Sequence, residues 1–357
     1  MPMLTIAKDG VLLGQPDRAT LDFIRNAKGF TQQALAGKVA KHYRQTVEER
    51  KASGAPEPQT FADVAEIVSP LFEYKAEKFL SRQTQELMWS RLFEAVTPHE
   101  KELLAWLDEP VPNPRGSLRL NPNLVPPAYY EIDYHIQPGG QHRQPLIPFV
   151  LEIGQVVYHG ERNARSELKV GAALAIPEGR YERILDLGCG VGHSTYPIKE
   201  RFPDADVYGI DISAPLLKYA HKQAEAQGIA LHLSQQAAEQ TDFPDNYFDV
   251  VTSTILFHEV PDDAAMAIIR EGYRIVKPGG LFQIADTPPY REHELYRAFT
   301  SDWQTEHNGE PYWRQAALRD LAAMCREAGF ARVEEPSRER KKNGGSPTPW
   351  ITWGWKE

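Results

Sequence analysis

A chain of 357 residues has room for two domains, or for one enlarged domain with a substantial extension, and it can bury a sizeable core. Hydrophobic residues make up 41% and charged residues 25%, with both signs interspersed, which excludes a disordered, collagen-like or fibrous chain. Lys+Arg 40 against Asp+Glu 49 leaves a net charge of -9, so no excess positive field exists to neutralise phosphates and a general nucleic-acid binder is disfavoured.

The N-terminal stretch MPMLTIAKDGVLLGQPDR lacks the apolar run and the small-residue cleavage site of a signal peptide. No stretch approaches the roughly 18 uncharged apolar residues of a membrane span. Two cysteines, Cys189 and Cys325, are too few for a disulfide framework or a cysteine-based zinc site. A cytoplasmic protein with no membrane partner is expected. From Ala19 to about Leu107 the chain is rich in Ala, Glu, Gln, Leu and Lys with apolar residues at helical spacing, as in Phe61, Val64, Ile67, Val68, Leu71 and Phe72. The run ASGAPEPQ divides two helical stretches, and Thr60 or Asp63 is placed to cap the second. Residues 1–108 are therefore predicted to form an all-helical domain, one reading of which is a homodimerising module.

Six prolines between Glu109 and Pro127 forbid a regular helix and predict an extended connector. The arm continues through Tyr129, Tyr130, Asp133, Tyr134, His135 and His142 around a Pro-Gly-Gly turn, then an apolar segment from Leu146 to Val157. So many polar aromatic groups suit either a substrate pocket wall or a hydrogen-bonded interdomain contact. This second segment spans 109–175.

The third, 176–357, alternates short β-rich runs with amphipathic helices. Strands are predicted at 183–187, 206–211, 231–234, 248–253 and 281–286, with helices between them, another helix over 316–330 ending at Gly329, and a final hairpin of ARVEE and TPWITWGW around a basic loop, SRERKKNGG. Alternation of this kind implies parallel pairing through right-handed crossovers, hence an α/β, Rossmann-like doubly wound sheet.

The strand ILDL runs straight into Gly188, Gly190 and Gly192 and then a helix, so the backbone can turn tightly and approach a nucleotide-like ligand at a helix N-terminus. The spacing is G-x-G-x-G, and Asp186 stands two residues before the first glycine. A carboxylate there suits a ligand with an ammonium group better than a pyrophosphate, which disfavours a nicotinamide-dependent dehydrogenase. Asp211, ending the second strand, is placed to accept hydrogen bonds from ribose hydroxyls.

Together DLGCGVGHS, GIDI, FPDNYFDVV and VKPGG resemble the class I S-adenosylmethionine-dependent methyltransferases, and in particular the ubiquinone/menaquinone-biosynthesis type that acts on small molecules, over about residues 155 to 330. The resemblance implies that S-adenosyl-L-methionine is the cofactor. Asp186, Gly188 and Gly190 would then hold its methionine end, with Cys189 and Gly192 in the same turn. Asp211 would take the ribose, Ile212 the adenine face, and Ser253 the amino-acid part. The family's usual acidic residue falls on Ala237, so Gln236 beside it or a backbone carbonyl is the expected substitute, and Ala238 is counted with Gln236 among the cofactor-binding positions. Asp249 and Cys189 themselves read as structural residues.

Methyl transfer to a protonated nucleophile needs a base, and His258, just past the fourth strand, is the first candidate. His135 and Tyr129 of the arm are the others. The stretch 286–314, far longer than a helix connection needs, is expected to form part of a lid carrying His293, His307, Tyr312 and Trp313. No metal is expected, because no H-E-x-x-H or paired-carboxylate spacing occurs. These residues predict methylation of a small-molecule O, N or C nucleophile. The competing reading is a cofactor-binding but catalytically idle partner protein.

Overall fold

A computed structural model of the chain describes residues 13–159, 167–342 and 349–357. The readings made for residues 1–12, 160–166 and 343–348 therefore lie outside the described residues. The N-terminal part is helical, with α1 (Gln15–Phe30), α2 (Ala36–Ser53), α3 (Phe61–Val68), α4 (Phe72–Val96) and α5 (Glu100–Asp108). At the start of α3 the Asp63 N–H donates to Thr60 Oγ1 at 3.2 Å, and the Thr60 N–H donates to the Asp63 carboxylate at 2.9 Å. The two predicted capping residues thus act together, as a capping box.

These helices do not close a core by themselves. Ile24, Met88, Leu92 and Leu103 pack with Ile147 and Phe149 of α6 (Ile147–His159), and the same cluster takes in Val191, Leu216 and Tyr219 from the C-terminal half. Each such side chain removed from water contributes about 1.5–3 kcal/mol. Burial therefore seats the helical part on the sheet.

The sheet comprises β1 (Ser117–Arg119), β2 (Arg183–Leu187), β3 (Asp206–Asp211), β4 (His232–Gln235), β5 (Phe248–Thr254), β6 (Val276–Asp286), β7 (Arg332–Glu334) and β8 (Trp350–Trp355). Its order is β1-β4-β3-β2-β5-β6-β8-β7. Strands β1 to β6 run parallel, and β8 lies antiparallel between β6 and β7. The helices α7 (Glu167–Ala175), α8 (Thr195–Arg201), α9 (Ala214–Ala226) and α10 (Asp262–Ile275) accompany it. Four consecutive buried residues in β2 reflect coverage on both faces. Because β2 is flanked by β3 on one side and β5 on the other, the strand order reverses beside it. A crevice opens at the carboxyl ends of strands at such a switch point.

Three departures from the expected elements stand out. The proline-rich connector contributes β1 as a parallel edge strand, held where the Gly116 N–H meets the Glu225 carboxylate at 2.7 Å and the Ser117 N–H meets the Leu231 carbonyl at 2.9 Å. The helix expected over 316–330 is two helices, α12 (Trp313–Leu318) and α13 (Leu321–Ala328), separated at an extended Arg319. The start of the predicted basic loop is a helix, α14 (Ser337–Lys342). Within 286–314 lies α11 (Leu295–His307), whose Tyr296 stacks on Tyr43 at 4.7 Å and whose Phe299 meets Phe61 and Tyr74. The insertion is thereby fastened to the N-terminal helices.

Candidate active site

The glycines that follow β2 all adopt positive φ: Gly188 +68°, Gly190 +53° and Gly192 +89°. A β-carbon at Gly190 would meet nothing within 4 Å, so open space faces that position, whereas one at Gly192 would strike the Tyr196 ring at 2.8 Å. The loop is set by Asp211 at the end of β3. One of its oxygens accepts the Gly190 N–H at 2.9 Å and the other the Ser213 N–H at 2.8 Å. Beneath the loop, Asp186 Oδ2 accepts from the hydroxyls of Ser194 and Thr195, both at 2.7 Å, while Oδ1 is buried without a partner among the described residues. Burial raises Asp186 to about 6, against the two hydroxyl donors, and likewise raises Asp211 to about 6 against its backbone donors.

Gly188, Asp211, Ile212, Gln236 and Ala238 line one cavity together with Tyr129 and Tyr130 of the arm and with Glu239, Leu256 and Glu259. Of the other predicted cofactor residues, Asp186, Cys189 and Ser253 are buried, while Gly190 is partly exposed. Cys189 is buried with its sulfur where a β-carbon on Gly209 would touch it, and burial pushes its thiol well up, so it is an inert packed group. Ser253 is fully buried, and its hydroxyl has no partner among the described residues. Gln236 spends both ends of its amide within the protein: Nε2 donates to Ser234 Oγ at 2.8 Å and Oε1 accepts the Asp242 N–H at 2.8 Å.

A carboxylate that sequence reasoning passed over reaches the cavity instead. Glu239 stands two residues after Ala237, inside the turn closed by the pairing of Ala237 with Gln240, and it accepts a hydrogen bond from the Tyr129 hydroxyl. Burial, then the charge of Glu239, push the Tyr129 phenol upward, so it stays a neutral donor. The glutamate in AAEQ is a visible signal, two residues past the position on which the family's acidic residue falls.

His258 is buried in the turn after β5. Its Nδ1 lies 2.7 Å from Asp286 Oδ1, while Asp286 Oδ2 accepts the N–H groups of Phe257 at 2.8 Å and Leu256 at 3.1 Å. Burial disfavours the charged imidazole, but Asp286, Glu259 and Glu310 outweigh it and hold His258 at about 9. An imidazolium has no lone pair to offer a proton at neutral pH. The turn is strained, because Ile255, a β-branched residue, sits at φ +57°. The Arg319 guanidinium secures it, donating to the carbonyls of Phe257 at 2.7 Å and Val260 at 2.9 Å and to Asp262 at 2.7 Å.

The arm cluster divides. Tyr130 lines the cavity, and the Tyr134 hydroxyl donates to the Glu259 carbonyl at 2.6 Å. His142 instead lies 3.1 Å from Glu131, and Asp133 pairs with Arg143, so both serve the arm's own fold. His135 sits between two carboxylates, Nε2 at 3.2 Å from Glu259 and Nδ1 against Glu310. In the insertion, Trp313 lies 5.5 Å from the His258 ring and Tyr312 packs edge-on to Tyr129 at 6.2 Å. His307 packs on Trp303 at 5.2 Å, and the His293 N–H bonds to the Tyr290 carbonyl at 2.9 Å. Among the described residues no group of three or more His, Cys, Asp or Glu is arranged to hold a metal ion. No helix among them is long and apolar enough to cross a membrane.

A crevice of this geometry at the switch point of such a sheet defines a nucleoside-binding α/β enzyme. The model of a family described as a methyltransferase domain matches residues 184–280. The chain is 38% identical over 109 residues to the demethylmenaquinone methyltransferase of Thermus thermophilus, covering 30% of this chain and 48% of that protein. It is 32% identical over 171 residues to the enzyme of that name from Geobacillus kaustophilus, covering 43% of this chain and 72% of the relative. The trans-aconitate 2-methyltransferase of Deinococcus radiodurans is 30% identical over 156 residues, covering 43% of this chain and 57% of that one. The chain belongs to the class I S-adenosylmethionine-dependent methyltransferase family.

The residues present fit that cofactor. The orphaned oxygen of Asp186 can accept from an ammonium group, and the open space beside Gly190 admits a ligand against the backbone. Once ionised, Asp186 would hold an ammonium group better and Asp211 would accept more strongly from ribose hydroxyls. Affinity for S-adenosylmethionine is therefore expected to rise with pH through about 6 and then level off. Calorimetric titration between about pH 5 and about pH 8 checks this, and Asp186→Asn should flatten the rise.

Proposed function

We propose that the chain transfers a methyl group from S-adenosylmethionine to an O, N or C nucleophile of a small molecule. The observation that carries this reading is the single cavity joining Gly188 and Asp211 to Tyr129, Tyr130 and Glu259, a cofactor-type surface continuous with polar groups suited to an acceptor. The relatives are named for demethylmenaquinone and for trans-aconitate, which supports a small acceptor without choosing one.

When bound, the cofactor would supply an electrophilic methyl group. Asp186 would hold its ammonium group, Asp211 the ribose hydroxyls, and Ile212 the adenine face. Glu239, which accepts a hydrogen bond from the Tyr129 hydroxyl, would stand in for the acidic group missing at Ala237. The arm and the insertion exclude water and restrict the approach of the acceptor. His258, paired with Asp286, is charged at neutral pH and would serve there as a hydrogen-bond donor; it becomes a base only toward pH 9. For self-association, exposed Phe23 and Phe30 on α1 with Phe72 and Phe79 on α4 are the apolar surface offered to a second copy.

Incubation with methyl-labelled cofactor and the low-mass fraction of the source organism's extract, followed by mass analysis, is expected to give a labelled small molecule. Cofactor binding without any labelled product would instead favour an idle partner protein.

A further inference from the structure

We propose that Glu259 is the group that takes the proton from the acceptor, with His135 and Glu310 as its positioning residues; this rests on the methyl-transfer reading above. Glu259 is 7% exposed and lines the cavity beside Gly188 and Leu256, so a carboxylate faces the space next to the cofactor loop. Its partner is held from three directions. His135 has a left-handed backbone, φ +55°, unusual for a residue with a side chain. That conformation is fastened by α4, where Trp89 Nε1 donates to the His135 carbonyl at 2.8 Å and Gln85 Nε2 at 3.2 Å. The insertion supplies Glu310, 2% exposed, against Nδ1, which leaves Nε2 directed at Glu259 from 3.2 Å. Strain retained in this way marks functional positions.

The rest of the surroundings agree with the role. Lys169 from α7 and His258 on the same turn are the other cations whose charge Glu259 affects, with His258 Nε2 at 3.9 Å. Asp211, Tyr130 and Tyr134 face it from β3 and the arm. The two tyrosine hydroxyls are pushed upward by burial and remain protonated, and His258 is charged, so neither they nor it offers a vacant basic site near neutrality. In the step, the nucleophile's bond to hydrogen breaks and the proton passes to a carboxylate oxygen of Glu259. The electron pair left on the nucleophile is the one that accepts the methyl group. Glu259 ends as a neutral carboxylic acid beside an imidazolium, and releases its proton to solvent when the product leaves. The helical N-terminal part thereby acquires a function at the site: α4 fixes the residue that orients the base.

The full chain is assayed with methyl-labelled cofactor and the same low-mass extract fraction, while S-adenosylhomocysteine binding is followed by calorimetry. Glu259→Gln is expected to lower labelling at least about 100-fold, with affinity for S-adenosylhomocysteine changed less than about threefold. Glu259→Asp should restore part of the rate, because it returns a carboxylate to the same turn. His135→Gln should lower the rate at least about tenfold with affinity for S-adenosylhomocysteine unchanged, because the group that orients the carboxylate is gone, whereas a merely structural role would weaken both together. A Glu259→Gln variant that keeps more than about a tenth of the rate, or loses binding in step with rate, overturns the assignment. Wild-type protein that binds but labels nothing overturns the methyl-transfer reading as well.

Discussion

Asp211→Ala is expected to weaken S-adenosylhomocysteine binding by at least about 100-fold in calorimetric titration. The carboxylate does two things at once. It accepts the N–H of Gly190 at 2.9 Å and of Ser213 at 2.8 Å, which shapes the loop after β2 and the start of α9, and it lines the cavity where ribose hydroxyls would lie. Hydrogen bonds to a charged group contribute about 1.5–3 kcal/mol each, and alanine removes both together with any ligand contact. Asp211→Asn keeps one acceptor oxygen and should lose only about tenfold. An alanine variant binding within about threefold of wild type would show that the loop needs no anchor.

Arg319→Met is the substitution expected to cost most stability, about 3 kcal/mol, seen as a fall in melting temperature of about 4 °C. Arg319 is 7% exposed, and its guanidinium donates to the carbonyls of the buried residues Phe257 and Val260. Methionine fills the volume but leaves both acceptors unpaired, at about 1–3 kcal/mol each. Asp262, the third partner, has a side chain 55% exposed and can turn to water, so no buried charge is orphaned. Because the turn it braces carries His258 and Glu259, labelling should fall further than stability alone explains. The surface pair of Arg270 and Glu327, each 62% exposed, is the control: Arg270→Met should change stability by less than about 0.5 kcal/mol.

Arg319 also illustrates what the sequence could not disclose. It sits in a run, ALRDLAAMCREAGF, whose period is helical throughout, and only the carbonyls of a turn sixty residues earlier, themselves invisible to periodicity, hold it extended. By contrast β2 and β3 were legible to the residue, since continuous apolar runs ending in glycine or aspartate admit few other arrangements. The edge strand β1 escaped notice because prolines signal only the absence of helix, and its pairing is set by Leu231 and Glu225 from distant elements. In the site, local motifs located Gly188, Asp211 and Ile212, which share the cavity, but could not separate them from Cys189 and Ser253, whose neighbours turn them inward. His258 was recognisable as a position and not as a charge state, because Asp286, which sets that state, lies on another strand. Glu259 and Glu310 were ordinary acidic letters until the arm brought His135 between them.

A crystal structure of the full chain with S-adenosylhomocysteine tests the central claim most directly. The account predicts the nucleoside between the loop at Gly188 to Gly190 and Ile212, with Asp211 on its ribose and Asp186 on its amino group. Density for that compound elsewhere, or a crevice left empty at saturating concentration, would contradict it.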